Sequence, residues 1–277
     1  MTESVQAARA RFATVVSQPE ADVDLALAAL LIAQEEYPQL NPEPYLQRLD
    51  LLAERARDRM ANETAPLLLL QELSRVLFEE EHFRGNATEY YDPRNSFLND
   101  VLDRHLGIPL TLSIIYLEVG WRLGLPLSGV NFPGHFLVRY EGEALRLLSD
   151  PYQDGAIRFE DEAQSLLDQV SGGSLRLEPT HLRTADRKDI LVRLLSNLKG
   201  IYLNQRADVK AMAAIERILI IRPDAAEEMR DHALALTRLG RDAEAVPELQ
   251  EYLRLAPNAE DRVRIELLLD HISRQWK

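Results

Sequence analysis

The chain has 277 residues, nearly half of them apolar, enough for one large or two ordinary domains with a buried core. Its 45 acidic residues outweigh 32 basic ones, and the formal net charge of -13 repels phosphate backbones and anionic lipid, which argues against nucleic acid and membrane surfaces as partners. The sequence contains no cysteine, which excludes a disulfide, a zinc–thiolate centre and a cysteine nucleophile, and fits a reducing, cytoplasmic setting.

The first residues, MTESVQAARARF, carry early acidic side chains and lack the apolar core of a secretory signal. The apolar run from Leu25 to Ala33 is too short to span a bilayer and reads as a buried helix. Residues 1–90 read as a helical layer broken by Pro38, Pro42 and Pro44. Asn41 or Glu43 begins a helix in which Leu46, Leu49 and Ala53 recur at helical spacing as far as Met60, and another runs from about Ala65 to His82. The acidic run Glu79-Glu80-Glu81 reads as a solvated face.

The texture changes at Tyr90. A short helix is expected from Ser96 to His105, ended by Leu106-Gly107. Pro109 then opens a second helix, because the first turn tolerates a residue without an amide hydrogen. Gly124 stops it after Leu123, and Pro126 prevents resumption. Leu110, Leu112, Ile114, Ile115, Leu117 and Val119 are too many apolar residues for one exposed face, so this helix should be central and buried. Phe136, Val138 and Tyr140 then alternate with Leu137 and Arg139. Glu141-Gly142-Glu143 makes a turn, and Leu145, Leu147 and Leu148 return as the second arm of a β-hairpin closed by Asp150-Pro151. A buried helix followed by antiparallel strands is an α+β arrangement.

From Asp186 the chain is helical and repetitive. Pro223 and Pro257 lie 34 residues apart, the tetratricopeptide period. In the second copy Gly240 takes the turn, Ala245 the small position and Leu249 a core position. In the first copy Ala211 and Ile215 fit, while Arg206 replaces the turn glycine. Ala259 to Arg274 reads as a capping helix. The expected division is 1–180 for the α+β domain with its helical layer and 186–277 for the repeats and cap.

Among six histidines, His135 is the candidate for chemistry, since it follows Pro133-Gly134 and opens a strand. Asp150, at the end of the paired strand, can stand beside it, and a carboxylate beside an imidazole fixes its tautomer. The pair needs a nucleophile, and the start of the buried helix, where the dipole favours a thiolate, is the natural place for one. That start reads Gly107-Ile108-Pro109 and offers no thiol, hydroxyl or amine.

The order of helix start, PGHF strand and DP resembles the transglutaminase-like (papain-like) core. In that family a cysteine opens the central helix, a Gly-Ile-Pro-like turn ends it, and a histidine and an aspartate follow on paired strands. Matching Gly124-Leu125-Pro126 to the turn without a gap places Pro109 at the cysteine position, with His135 and Asp150 at the other two. More narrowly, NSFLNDVLDRHLGIPLTLSIIYLEV…LGLPLSGVNFPGHFLVR resembles the SirB-type bacterial proteins, which join this core to tetratricopeptide repeats. The resemblance implies a degenerate triad and a regulatory, protein- or peptide-binding role without catalysis, cofactor or metal ion. The alternative is a hydrolase or acyltransferase using Ser113 or Thr111 with His135 and Asp150. A purely structural stitch of the hairpin is a third reading. Asn95, Asn99 and Thr111 are expected near the cleft, with capping or bridging as the plainer role for the two asparagines. Asp92, Asp100 and Asp103 are expected as caps and surface residues.

Overall fold

The computed structural model describes residues 3–61, 63–142 and 145–275. The chain divides into two compact units, Met1–Leu194 and Leu195–Lys277.

In the first unit a helical layer comes first. Helix α1 (Glu3–Val16) packs against α2 (Leu25–Glu36), whose first turn is capped by the Asp24 carboxylate accepting the Leu27 amide at 2.9 Å. The run from Leu25 to Ala33 is buried almost throughout, as its composition predicts. Helix α3 (Glu43–Met60) is amphipathic and buries Leu49, Leu52, Ala53 and Ala56. Helix α4 (Pro66–Ser74) continues into a π-helical turn, Arg75–Glu80. The acidic run there is less solvated than expected, because Glu80 and Glu81 pair with Arg55 of α3, and Glu80 also with Arg59.

Strand β1 (Arg84–Gly85), helix α5 (Leu98–Arg104) and strand β2 (Leu106–Gly107) follow, and β1 and β2 pair in parallel. Leu106-Gly107 therefore does more than end a helix. Helix α5 begins two residues later than expected, with Phe97 at its N-cap, and Ser96 makes no cap bond. Asp92 does cap a short turn, Pro93–Asn95, by accepting the Arg94 amide. Asp100 and Asp103 instead accept the hydroxyls of Tyr37 (2.6 Å) and Tyr45 (2.9 Å), tying α5 to the helical layer.

Helix α6 (Pro109–Arg122) is buried from Pro109 to Gly120. Its Glu118 is a buried carboxylate unforeseen in the sequence. It accepts the Ala26 amide at 3.0 Å, so a residue 92 positions away helps to satisfy the start of α2, and Arg122 pairs with it. Burial pushes this carboxyl up, and Arg122 opposes the shift.

The sheet is larger than the predicted hairpin. Strands β3 (Leu127–Val130), β4 (Leu137–Glu141), β5 (Arg146–Asp150), β6 (Ala156–Phe159) and, after helix α7 (Ala163–Ser171), β7 (Thr184–Ala185) form a five-stranded antiparallel sheet ordered β6-β5-β4-β3-β7. The hairpin register pairs Val138 with Ser149 and Glu141 with Arg146. Glu143, read as part of its turn, lies outside the described residues. Leu137, Leu148 and Val130 pack with Ala163, Leu166 and Leu167 of α7. On the α6 side, the Tyr116 hydroxyl meets Ser149 Oγ at 3.4 Å.

Helix α8 (Arg187–Asn204) contains the division between units, which falls between Leu194 and Leu195. The second unit continues with α9 (Asp208–Ile221), α10 (Ala226–Arg238), α11 (Asp242–Leu255) and α12 (Arg262–Gln275). Its core gathers Met212, Ala233, Leu236, Ala245, Leu249, Tyr252 and Ile265. The 34-residue repeat is visible atom by atom. Between α10 and α11, Gly240 sits at φ 73° and the Arg241 amide donates to Leu236 O; between α8 and α9, Arg206 sits at φ 56° and the Ala207 amide donates to Tyr202 O. Arg206 thus adopts the left-handed turn that glycine takes in the second copy, at about 1–2 kcal/mol of backbone cost.

Candidate functional site

The hairpin register brings His135 and Asp150 together. His135 follows Gly134, whose φ of 65° turns the chain into β4, and the His135 amide donates to Phe132 O at 3.0 Å. Asp150 ends β5. The His135 Nε2 to Asp150 Oδ1 distance is 2.9 Å, and the two side chains are 9% and 2% exposed. Asp150 Oδ1 also accepts the Tyr152 amide at 3.1 Å, while Oδ2 has no hydrogen-bond partner among the described residues. A carboxylate only accepts, so the neutral imidazole carries its hydrogen on Nε2 and presents Nδ1 as an acceptor.

Tyr152 is a site residue that sequence reasoning missed. Its ring stands edge-on to the His135 imidazole, with centroids 5.9 Å apart. It rests on Gly85: a Cβ there would lie 2.3 Å from Tyr152 Cε2. Gly85 pairs with Gly107, two residues before Pro109, so Tyr152 links the imidazole to the ladder that leads into α6. Burial and the Asp150 charge push the Tyr152 hydroxyl above its ordinary value. Its place directly after Asp150-Pro151 was the available signal.

Pro109 is buried at the first position of α6, as expected of a helix-opening proline. The turn before it is held by Thr111, whose Oγ1 accepts the Ile108 amide (3.1 Å) and donates to Asn95 O (2.7 Å). The Asn95 amide group donates to Glu89 O (2.7 Å), and its Oδ1 accepts from Asn86 (3.1 Å), which in turn accepts the Glu89 amide. Asn95 therefore bridges the loop, one of the two roles expected of it, and ties loop 86–92 to the helix start. That loop carries Tyr90 and Tyr91 in edge contact, with Tyr91 73% exposed. Asn99 is buried, and its Oδ1 has no partner among the described residues.

Neither candidate hydroxyl bonds the imidazole. Thr111 spends its hydroxyl on the turn, and the fully buried Ser113 Oγ has no hydrogen-bond partner among the described residues. Arg193 of α8 was not foreseen either. It donates to His135 O at 2.7 Å, bonds the Asn131 side chain and lies over the Phe136 ring, 5.4 Å from its centroid. Burial lowers its guanidinium from the ordinary value, and Tyr90 opposes the shift. Fifty-eight residues separate Arg193 from His135, and no local pattern announces the contact.

Among the described residues no helix is long and apolar enough to cross a membrane. A family profile described as transglutaminase-like superfamily matches residues 43–196, and a tetratricopeptide-repeat profile matches residues 198–270. A UPF0162 protein of Xylella fastidiosa (strain Temecula1) is 36% identical over 247 residues, covering 88% of this chain and 87% of that protein. A UPF0162 protein of Vibrio cholerae is 29% identical over 79% of this chain and 83% of that protein. The human F-box only protein 21 is 39% identical over 90 residues, 31% of this chain and 14% of that protein. No solved structure matches. With the matched core spanning more than half of the sequence and relatives aligned over most of their length, the chain belongs to the transglutaminase-like superfamily, among the bacterial UPF0162 proteins that it resembles over 88% of its length.

Proposed function

We propose that this protein is a non-catalytic, protein-binding regulator that uses a degenerate transglutaminase-like cleft, the tetratricopeptide repeats, or both to hold a segment of a partner protein. The observation that carries the reading is the start of α6. Pro109 opens that helix beside a turn stabilised by Thr111, and His135 and Asp150 are bonded; the family resemblance assigns the Pro109 position to the nucleophile. An imidazole–carboxylate pair without a nucleophile in reach has nothing to activate. Exposed Tyr90 and Tyr91 give this region the aromatic surface that protein contacts favour.

Charge narrows the partner. Residues 1–194 hold 31 acidic against 19 basic side chains, and residues 195–277 hold 14 against 13, so the acidity lies in the first unit. That distribution disfavours nucleic acid and suits a basic protein segment. A cysteine-free chain of this kind fits the bacterial cytoplasm, and the reading requires no cofactor.

A screen of the purified protein against ester and amide substrates tests the reading. No turnover above background is expected. Turnover that disappears with Ser113→Ala or His135→Ala and survives Asp186→Ala would replace it with the serine-hydrolase alternative. Cross-linking of the full chain in extract of its native cell then places the partner: cross-links on loop 86–92 or on α10 and α12 are expected, and their absence from both would remove the binding assignment.

A further inference from the structure

His105 sits at the junction of four segments. Its amide donates to Val101 O and closes α5, its φ of 56° turns the chain into β2, and its carbonyl accepts the Arg84 amide of β1 at 2.9 Å. Its ring stacks on Phe83, with centroids 4.4 Å apart and planes 15° from parallel. Nδ1 of that ring contacts the Glu81 carbonyl, and Nε2 lies 2.6 Å from Arg48 Nη2. A carbonyl only accepts and a guanidinium only donates. Both contacts are satisfied by one form of the ring, the neutral tautomer with hydrogen on Nδ1 and a bare Nε2.

We propose that Arg48, His105 and the Glu81 carbonyl form an acid-sensitive latch that holds the β1–β2 junction and, through it, the start of the central helix. Protonation places a hydrogen on Nε2 against the hydrogens of Arg48 and sets two cations in contact. The groups around the ring do not reverse this. Arg84, Arg104 and His82 line the same surface cavity of about 560 Å³, through which the proton arrives. Glu80 and the Glu81 carboxylate are engaged by Arg55, and Glu80 by Arg59. The remaining anion is Asp103, more than half exposed and already 3.3 Å from Arg48 Nη1. Burial first, then Arg48 and His82, lower the His105 pKa, with Asp103 opposing. A histidine depressed in the folded state leaves stability intact above its unfolded value near 6.5 and withdraws it as the pH falls toward the folded value.

The released latch has a defined path to the cleft. Below it, the Arg84 amide bonds His105 O and the Asn86 amide bonds Gly107 O at 2.9 Å. Asn86 anchors loop 86–92, and Gly85 carries the Tyr152 ring that abuts His135. Acid therefore loosens the β1–β2 support on which loop 86–92 and the Tyr152 ring rest.

The full-length protein tests this by imidazole nitrogen NMR and amide hydrogen exchange between pH 7.5 and 5. His105 is expected to be neutral with hydrogen on Nδ1 at pH 7.5 and to titrate below ordinary histidine. Arg48→Met, at a partly exposed position, is expected to raise that midpoint toward the ordinary value. Protection factors at Arg84 and Asn86, corrected for intrinsic exchange, are expected to fall at least about threefold through the wild-type midpoint. His105→Asn, which tolerates a left-handed backbone, is expected to abolish that fall. A hydrogen on Nε2 at pH 7.5, a midpoint unmoved by Arg48→Met, or the same loss of protection in His105→Asn would overturn the latch.

Discussion

Replacing Pro109 by cysteine places a thiol at the position that the proposed reading assigns to the family's nucleophile, in a chain with no other cysteine. The fold should accept it. Position N1 of a helix needs no amide partner, and losing proline releases about 0.4–1 kcal/mol of unfolded-state restriction. The helix terminus favours the thiolate by about 0.3–1 kcal/mol, and an imidazolium partner can bring such a thiol from about 8.5 to about 3.5–7.5. At pH 7 a midpoint of 7.5 raises the thiolate from about 3% to about a quarter, roughly eightfold. Nucleophilicity falls with basicity at a Brønsted slope of about 0.4–0.5, so the net gain in alkylation rate is only about threefold. The rate at one pH is thus a poor reporter, and the midpoint of iodoacetamide alkylation against pH is the right one. The expected midpoint is at or below about 7.5, and His135→Ala in the same background should return it toward about 8.5. A folded Pro109→Cys protein whose thiol titrates near 8.5 and ignores His135 would refute the assignment of Pro109 to the lost nucleophile's position. Restored turnover is not required, because the substrate contacts can be lost as well.

His232 offers a second test, in the repeats. Its Nδ1 lies 2.7 Å from Glu248 and its Nε2 3.5 Å from Glu216, carboxylates that raise its pKa to about 9 against the desolvation that lowers it. Because the folded value exceeds the unfolded one, the stabilisation is complete below about pH 6.5 and is lost as the pH rises to about 9. With both carboxylates a third exposed, screening reduces it to about 1–2 kcal/mol. Urea unfolding followed by a probe in this unit should show that slope, and His232→Gln should flatten it. Thr111→Val keeps the volume but strands the Ile108 amide and Asn95 carbonyl, at an expected cost of about 2–4 kcal/mol in urea unfolding that Thr111→Ser largely recovers. Gly85→Ala should displace the Tyr152 ring and shift the His135 imidazole signals. Those signals should move no further when Gly85→Ala is added to Tyr152→Ala, and an unmoved His135 in Gly85→Ala would contradict the contact.

The parts of the fold whose signals are local were legible in the chain. Pro109 and Gly124 mark a helix that the structure ends at Arg122, and the apolar density between them made it central. The alternation around Val138 and the return through Leu147 and Leu148 fixed the hairpin, and with it the approach of His135 to Asp150, because strand pairing follows from side-chain period and turn position. The 34-residue spacing located the repeats, including the turn that Arg206 fills in place of glycine. Tertiary structure alone decided the rest. Two-residue strands such as β1, β2 and β7 carry no readable periodicity, and the parallel β1–β2 pair forms only because α5 delivers Leu106 beside Arg84. Tyr152 on Gly85, Arg193 on the His135 carbonyl and Glu118 at the start of α2 join residues tens of positions apart. Such contacts are set by how layers pack, and packing geometry leaves no mark on the residues that flank either partner in the chain.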